Sequence, residues 1–193
     1  MEERKLFGIL AHPAGHSLSP VMHEEAYQKL GLPYAYHPFD VPPELLPQAI
    51  NAIKVLGIKG VNVTIPHKER IIPLLDRLDP EAEAIGAVNT VVLEEDGSLS
   101  GYNTDGPGYV ESLKRETQLD LSRSKVLLLG AGGAAKAIGI YLLKEGIPHL
   151  TIVNRTVERA QQFARHLEKS VEGRFPSSPN QVTVKSVTEL DQN

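Results

Sequence analysis

The run Gly130-Ala131-Gly132-Gly133-Ala134-Ala135 follows four apolar residues, Val126-Leu127-Leu128-Leu129, and opens a helical pattern. A strand, a Gly-x-Gly-x-x-Ala turn and a helix, in that order, are what a dinucleotide pyrophosphate needs. Gly130 permits a tight turn, Gly132 lets the backbone approach the phosphates, and Ala135 lets helix pack closely on strand. The helix N-terminus adds N–H groups and a partial positive charge. An empty βα turn would need the same glycines, so the flanking strand and helix carry the argument. The next apolar run ends in Val153-Asn154-Arg155-Thr156, with Arg159 one helical turn on. NAD favours an acid at that point to meet the ribose 2′-hydroxyl. None stands there, and guanidinium groups suit a 2′-phosphate or stack on adenine. The expected cofactor is therefore NADP. Its expected contacts are Gly130, Ala131, Gly132, Gly133, Ala134, Asn154, Arg155, Thr156 and Arg159. Thr156 would serve equally as a helix N-cap, and both arginines would suit a solvated helix face.

Four polar clusters precede this run: Gly15-His16-Ser17-Leu18-Ser19-Pro20, Asn62-Val63-Thr64-Ile65-Pro66-His67-Lys68, Ala87-Val88-Asn89-Thr90 and Gly101-Tyr102-Asn103-Thr104-Asp105-Gly106. They fall at predicted strand-to-helix junctions, where open α/β sheets bind ligands. Singly, most have an ordinary explanation. Ser19 is a fitting N-cap before Pro20, and Asp105 fits the same role before Pro107. Thr64 suits a strand, Lys68 a solvated first turn, and Asn89 local backbone bonding. Ser17 has no such ordinary role.

Taken in order, and followed by Gly-Ala-Gly-Gly-Ala and Asn-Arg-Thr, these clusters closely resemble the shikimate dehydrogenase family from Gly8 to about Leu190. Asn-Val-Thr-x-Pro-His-Lys and Asn-Thr-Asp-Gly are the specific motifs. The resemblance implies reduction of 3-dehydroshikimate to shikimate by NADPH, on the way to aromatic amino acids. It implies that Lys68 and Asp105 are the catalytic acid–base pair. It gives Thr64 and Asn89 the ring hydroxyls, and Ser17 and Ser19 the carboxylate. Elementary chemistry agrees. Hydride delivery to a ketone builds negative charge on oxygen, which an ammonium stabilises and can protonate. A free lysine titrates at ~10.4, so burial beside ligand would lower it while Asp105 would raise it. Hydroxyl and amide side chains serve a polyhydroxylated carboxylate without a metal. Among the 7 histidines, His16 and His67 neighbour the expected ligands, and His12, His23 and His37 lack metal-ligand spacing, so no metal is assigned. Quinate/shikimate dehydrogenases would share most of these motifs. Glutamyl-tRNA reductases share the glycine turn and Asn-Arg-Thr but need a cysteine, which this chain lacks. A non-catalytic shikimate-binding fragment is the alternative from another class.

The elements expected to position these residues alternate between strand and helix, which indicates an α/β fold with parallel sheets. Strands are expected at residues 5–10, 34–41, 60–65, 87–93, 99–102, 125–129, 150–153 and 181–187. Helices are expected at 19–31, 43–56, 68–78, 80–85, 107–119, 134–145 and 157–169, with a Pro/Ser-rich loop at 173–180. This predicts a substrate-binding α/β domain over 1–104, a bridging helix over 105–120, and an incomplete Rossmann-type NADP domain over 121–193. In the family, further strands, a nicotinamide-side loop and a C-terminal helix bringing a glutamine to the substrate would follow. The chain therefore reads as C-terminally truncated, and is expected to lack useful dehydrogenase activity alone.

The 193 residues carry 41% hydrophobic and 23% charged residues, the composition of an ordinary globular protein. With a net charge of -4 and no Lys/Arg block, neither nucleic acid nor an anionic membrane is an expected partner. No apolar run approaches the ~18 residues that span a bilayer, and no signal peptide is read at the N-terminus. The absence of cysteine excludes disulfides, thiolate metal sites and thiol nucleophiles. The expectation is a cytoplasmic monomer or homodimer acting on a small molecule.

Overall fold

The computed structural model describes residues 4–171 and 181–187. The loop expected at 173–180 lies outside them. The chain divides into two compact units, Met1–Asn103 and Thr104–Asn193. The first contains β1 (Lys5–Ala11), α1 (Ser19–Leu30), β2 (Tyr34–Asp40), α2 (Leu46–Leu56), β3 (Gly60–Val63), β4 (Arg77–Leu78), α3 (Pro80–Ile85), β5 (Thr90–Leu93) and β6 (Leu99–Tyr102). The second contains α4 (Asp105–Glu116), β7 (Lys125–Leu129), α5 (Gly133–Lys144), β8 (His149–Val153), α6 (Val157–Val171) and β9 (Gln181–Lys185).

In the first unit a six-stranded sheet runs in the order β2-β1-β3-β5-β6-β4. The expectation of a parallel sheet holds for β2, β1 and β3, but β5 is antiparallel to both β3 and β6. Between β5 and β6 the chain makes a hairpin at Asp96-Gly97, which makes these two strands antiparallel. The Asp96 carboxylate accepts from the Ser98 N–H at 3.0 Å and from its hydroxyl at 2.6 Å, which turns the chain straight back. The longer connection from Thr64 to Asn89 sets the start of β5 beside the end of β3: Thr90 lies opposite Asn62.

Helix α2 buries Leu46, Ile50 and Ile53, a stripe at i, i+4, i+7, onto Leu10, Val61, Val63 and Val91 of the sheet. Full burial of each such side chain contributes roughly 1.5–3 kcal/mol. Helix α1 has no fully buried residue. It is held by rings instead: His23 stacks on Tyr36 at 4.3 Å, and Tyr27 meets Tyr34 edge-on at 5.4 Å. The helix expected over 68–78 does not form. Pro73 gives no N–H, and its ring clashes with a preceding helical turn. The segment winds instead through turns, a 3-10 stretch at Ile72–Leu74 and the short strand β4.

The second unit is a parallel sheet in the order β7-β8-β9. Leu150 and Ile152 of the central strand are buried on the face that α5 and α6 cover, while Leu127 and Leu129 of β7, on the opposite face, are exposed. Helix α5 contributes Ala137, Ile140, Leu142 and Leu143; α6 contributes Ala160, Phe163, Ala164 and Leu167. Helix α4 packs on α5 at Gly106, where a Cβ would lie 2.3 Å from the Tyr141 ring and 2.9 Å from the Ala137 carbonyl oxygen.

Candidate functional site

At one end of the first sheet the backbone stitches the polar clusters together. The Thr64 N–H donates to the Leu10 carbonyl at 3.0 Å and the His12 N–H to the Ile65 carbonyl at 3.1 Å, which joins the loops after β1 and β3. The Val63 N–H reaches the Asn89 carbonyl at 2.7 Å, and the Val88 N–H reaches the Lys68 carbonyl at 2.8 Å. The Asn89 N–H donates to Tyr102 at 3.0 Å, and the Asn103 side chain to the Ala87 carbonyl at 2.9 Å. Thr64, Lys68 and Asn89 are thus gathered by main-chain bonds, Thr64 and Lys68 half-buried and Asn89 buried. The peptide bonds before Pro13 and Pro66, on these two loops, are cis.

Two local expectations change. Ser19 is the first residue of α1 rather than its N-cap, a position that Leu18 takes without a side-chain cap. The capping-type bond comes from Ser17, whose hydroxyl accepts from the Ser19 N–H at 3.2 Å. Asp105 likewise is the first residue of α4, with Thr104 before it. There its carboxylate sits where the helix end is positive. Lys68 belongs to the first unit and Asp105 to the second.

His67 is fully buried, and its Nε2 lies 2.8 Å from the Val41 carbonyl oxygen. Nε2 therefore donates, and the loop from Thr64 to Lys68 is pinned to the chain beyond β2. Burial holds this imidazole below its ordinary range. His12 pairs with Asp40 at 2.8 Å, and that contact holds the carboxyl of Asp40 down. Among the described residues no group of three His, Asp or Glu is placed to hold a metal.

Sequence reasoning missed the polar chain behind Asn89. The Tyr36 hydroxyl donates to Asn62 Oδ1 at 2.7 Å; Asn62 Nδ2 reaches Thr90 Oγ1 at 3.5 Å; and Thr90 Oγ1 donates to Asn89 Oδ1 at 3.0 Å. Asn62 and Thr90 lay within two of the motifs. Tyr36 carried no signal, because only a non-local strand pairing brings it here.

In the second unit the glycine turn and the end of β8 meet. The Gly130 N–H donates to the Val153 carbonyl at 2.7 Å, and Gly130 has φ 111, a conformation that favours glycine. Gly132 is the N-cap of α5, and a Cβ there would meet nothing within 4 Å, so the turn is open to an approaching group. Ala131 is buried, whereas Gly132 and Ala134 are exposed and Gly133 is half-buried. Asn154 donates to the Thr156 carbonyl at 2.9 Å, which shapes the turn presenting Arg155. Arg155, Thr156 and Arg159 are all exposed. Thr156 stands just before α6, and the Ala160 N–H reaches its carbonyl at 3.4 Å, as at a helix start. These residues fit a 2′-phosphorylated dinucleotide: an open glycine turn at a helix N-terminus and two exposed guanidinium groups beyond the neighbouring strand.

A mixed-sheet α/β unit is followed in the chain by a parallel unit whose glycine turn opens a helix, the arrangement of a Rossmann-type dinucleotide-binding unit. Comparison with known proteins defines it further. Residues 9–91 match the family described as shikimate dehydrogenase substrate binding domain, and residues 111–178 match the shikimate / quinate 5-dehydrogenase family. The chain belongs to the shikimate dehydrogenase family. It is 50% identical over 159 residues to the NADP(+) shikimate dehydrogenase of Geobacillus sp. (strain WCH70), covering 82% of this chain and 57% of that protein. A crystal structure of a shikimate dehydrogenase in complex with NADP+ superposes with a TM-score of 0.85 at 40% identity, over 97% of this chain and 63% of that one. The Thermus thermophilus enzyme in complex with NADP(H) and shikimate gives 0.77 at 42% identity, over 84% and 60%. The chain thus spans about three fifths of the length of the proteins it matches.

Proposed function

We propose that this chain carries the substrate-binding and cofactor-binding units of an NADP-dependent shikimate dehydrogenase, which interconverts 3-dehydroshikimate and shikimate. The observation that supports this most is the gathering of Thr64, Lys68 and Asn89 at one end of the first sheet. Thr64 and Asn89 would bind ring hydroxyls, and Ser17 and Ser19 the carboxylate. The Lys68 ammonium would stabilise the charge that grows on the ketone oxygen and deliver its proton. Asp105 is assigned as its acid–base partner from the Asn-Thr-Asp-Gly motif. Bound nicotinamide would supply the hydride. The Gly130–Ala134 turn would hold the pyrophosphate, with Arg155 and Arg159 on the 2′-phosphate and Asn154 and Thr156 shaping their turn. The partner is a small carboxylate; among the described residues no helix is long and apolar enough to cross a membrane.

The test is binding of shikimate and NADP to the purified chain, with quinate and NAD as competing choices, and oxidation of shikimate, followed through NADPH absorbance, by the chain extended to the full length of its relatives. Binding of shikimate and NADP by the chain, with turnover in the extended protein, supports the reading, and Lys68→Ala should lower that turnover by ~10²–10⁴-fold. Preference for quinate would shift the assignment to the quinate side of the family. Absence of both turnover and shikimate binding would overturn it.

A further inference from the structure

The Tyr36 phenol is unusual in how completely it is held. Its ring lies flat on His23 at 4.3 Å and 5°, and its backbone N–H donates to Glu24 at 3.1 Å. Burial raises its pKa to about 12, partly offset by the Ser19 hydroxyl. The phenol therefore stays protonated at any ordinary pH. Its proton goes to Asn62 Oδ1 at 2.7 Å. That contact decides which end of the Asn62 amide faces Thr90: the NH2 end, at 3.5 Å. Thr90 Oγ1 then accepts from Asn62 and donates onward to Asn89 Oδ1 at 3.0 Å. The chain of donors has one direction, from the Tyr36 hydroxyl through Asn62 and Thr90 toward Asn89. Its end is the amide of Asn89, turned so that its oxygen faces Thr90.

We propose that Tyr36 is a positioning residue: through Asn62 and Thr90 its hydroxyl fixes the amide orientation of Asn89, and so makes the first unit select a hydroxylated ring over a plain one. The proposal rests on the functional reading above, in which Asn89 binds a ring hydroxyl. Tyr36→Phe removes one oxygen and keeps the ring on His23.

The experiment compares the purified 193-residue chain with Tyr36→Phe and Thr90→Val by NMR. Two carboxylates are titrated: shikimate, and cyclohex-1-ene-1-carboxylate, which has the ring and the acid but no hydroxyls. Each variant should bind shikimate about tenfold more weakly, the scale of one hydrogen bond, and the plain ring within about twofold of wild type. The double variant should bind no more weakly than either single one, because both break one chain. Equal losses for both carboxylates would assign the effect to Ser19 or to general damage, and would overturn the proposal. So would unchanged shikimate binding. Without any ligand, the side-chain amide signals of Asn89 should move in Tyr36→Phe, although three hydrogen bonds separate the two residues; unmoved signals would also overturn it. If the wild-type chain binds no shikimate, the functional reading fails alone, and the amide signals still decide the positioning.

Discussion

Arg155 and His67 illustrate how differently single side chains enter this account. Arg155 is exposed just beyond the end of β8, and in the proposed reading it meets the 2′-phosphate of NADP. Arg155→Ala should weaken binding of NADP by roughly ten- to a hundredfold and leave NAD nearly unchanged, since one charge-assisted contact is worth roughly 1.5–3 kcal/mol. Calorimetric titration of both dinucleotides checks this, and an equal loss for the two would remove Arg155 from phosphate recognition. His67 is the reverse case, a histidine inside a motif that works by being buried and neutral. Its folded pKa lies below the unfolded value. Its contribution is therefore complete above about pH 6.5 and is lost as pH falls toward the lowered folded value. Denaturant stability should fall as pH drops below about 6.5, and His67→Gln should flatten that slope; an unchanged slope would mean that another group, such as His23, titrates. Both residues were visible in the sequence, but only burial shows that one of them has a structural job. Ser17 was legible as an exception, yet its bond to the Ser19 N–H needed coordinates, because an N-cap shifts by one residue without changing the pattern.

At the scale of elements, α4 offers a controlled comparison. Gly106 and Gly108 share this helix, but only Gly106 is pressed against a neighbour, α5. Gly106→Ala should destabilise by about 1–3 kcal/mol through overpacking. Gly108→Ala, with nothing within 4 Å of the new Cβ, should stabilise by about 0.5–1 kcal/mol through helix propensity. Urea midpoints of the two variants decide it, and equal effects would refute the close crossing of α4 and α5. The sequence revealed α2, α3, the hairpin and the βαβ run of the second unit, because periodicity and turn residues are local signals. It misread residues 68–78, where Pro73 should have outweighed the apolar spacing. It also read parallel pairing across the first sheet, whereas β5 runs antiparallel to β3 and β6, a non-local pairing that strand and helix alternation does not reveal.

For the whole molecule, the two units divide the task as two chemistries: hydroxyl and amide groups around a sheet end in one, an open glycine turn with exposed arginines in the other. The motifs made this division readable, since each cluster is short and lies at a strand end. The relay from Tyr36 to Asn89 was not readable, because it depends on side chains brought together across the sheet. The central claim is that the first unit recognises shikimate through Thr64 and Asn89. Calorimetric titration of shikimate into the purified chain tests it most directly, alongside Thr64→Ala and Asn89→Ala. The account predicts saturable one-to-one binding, weakened about tenfold or more in each variant, as expected when a hydroxyl of the ligand loses its partner. Binding of equal strength in all three proteins, or none in the wild type, would contradict it.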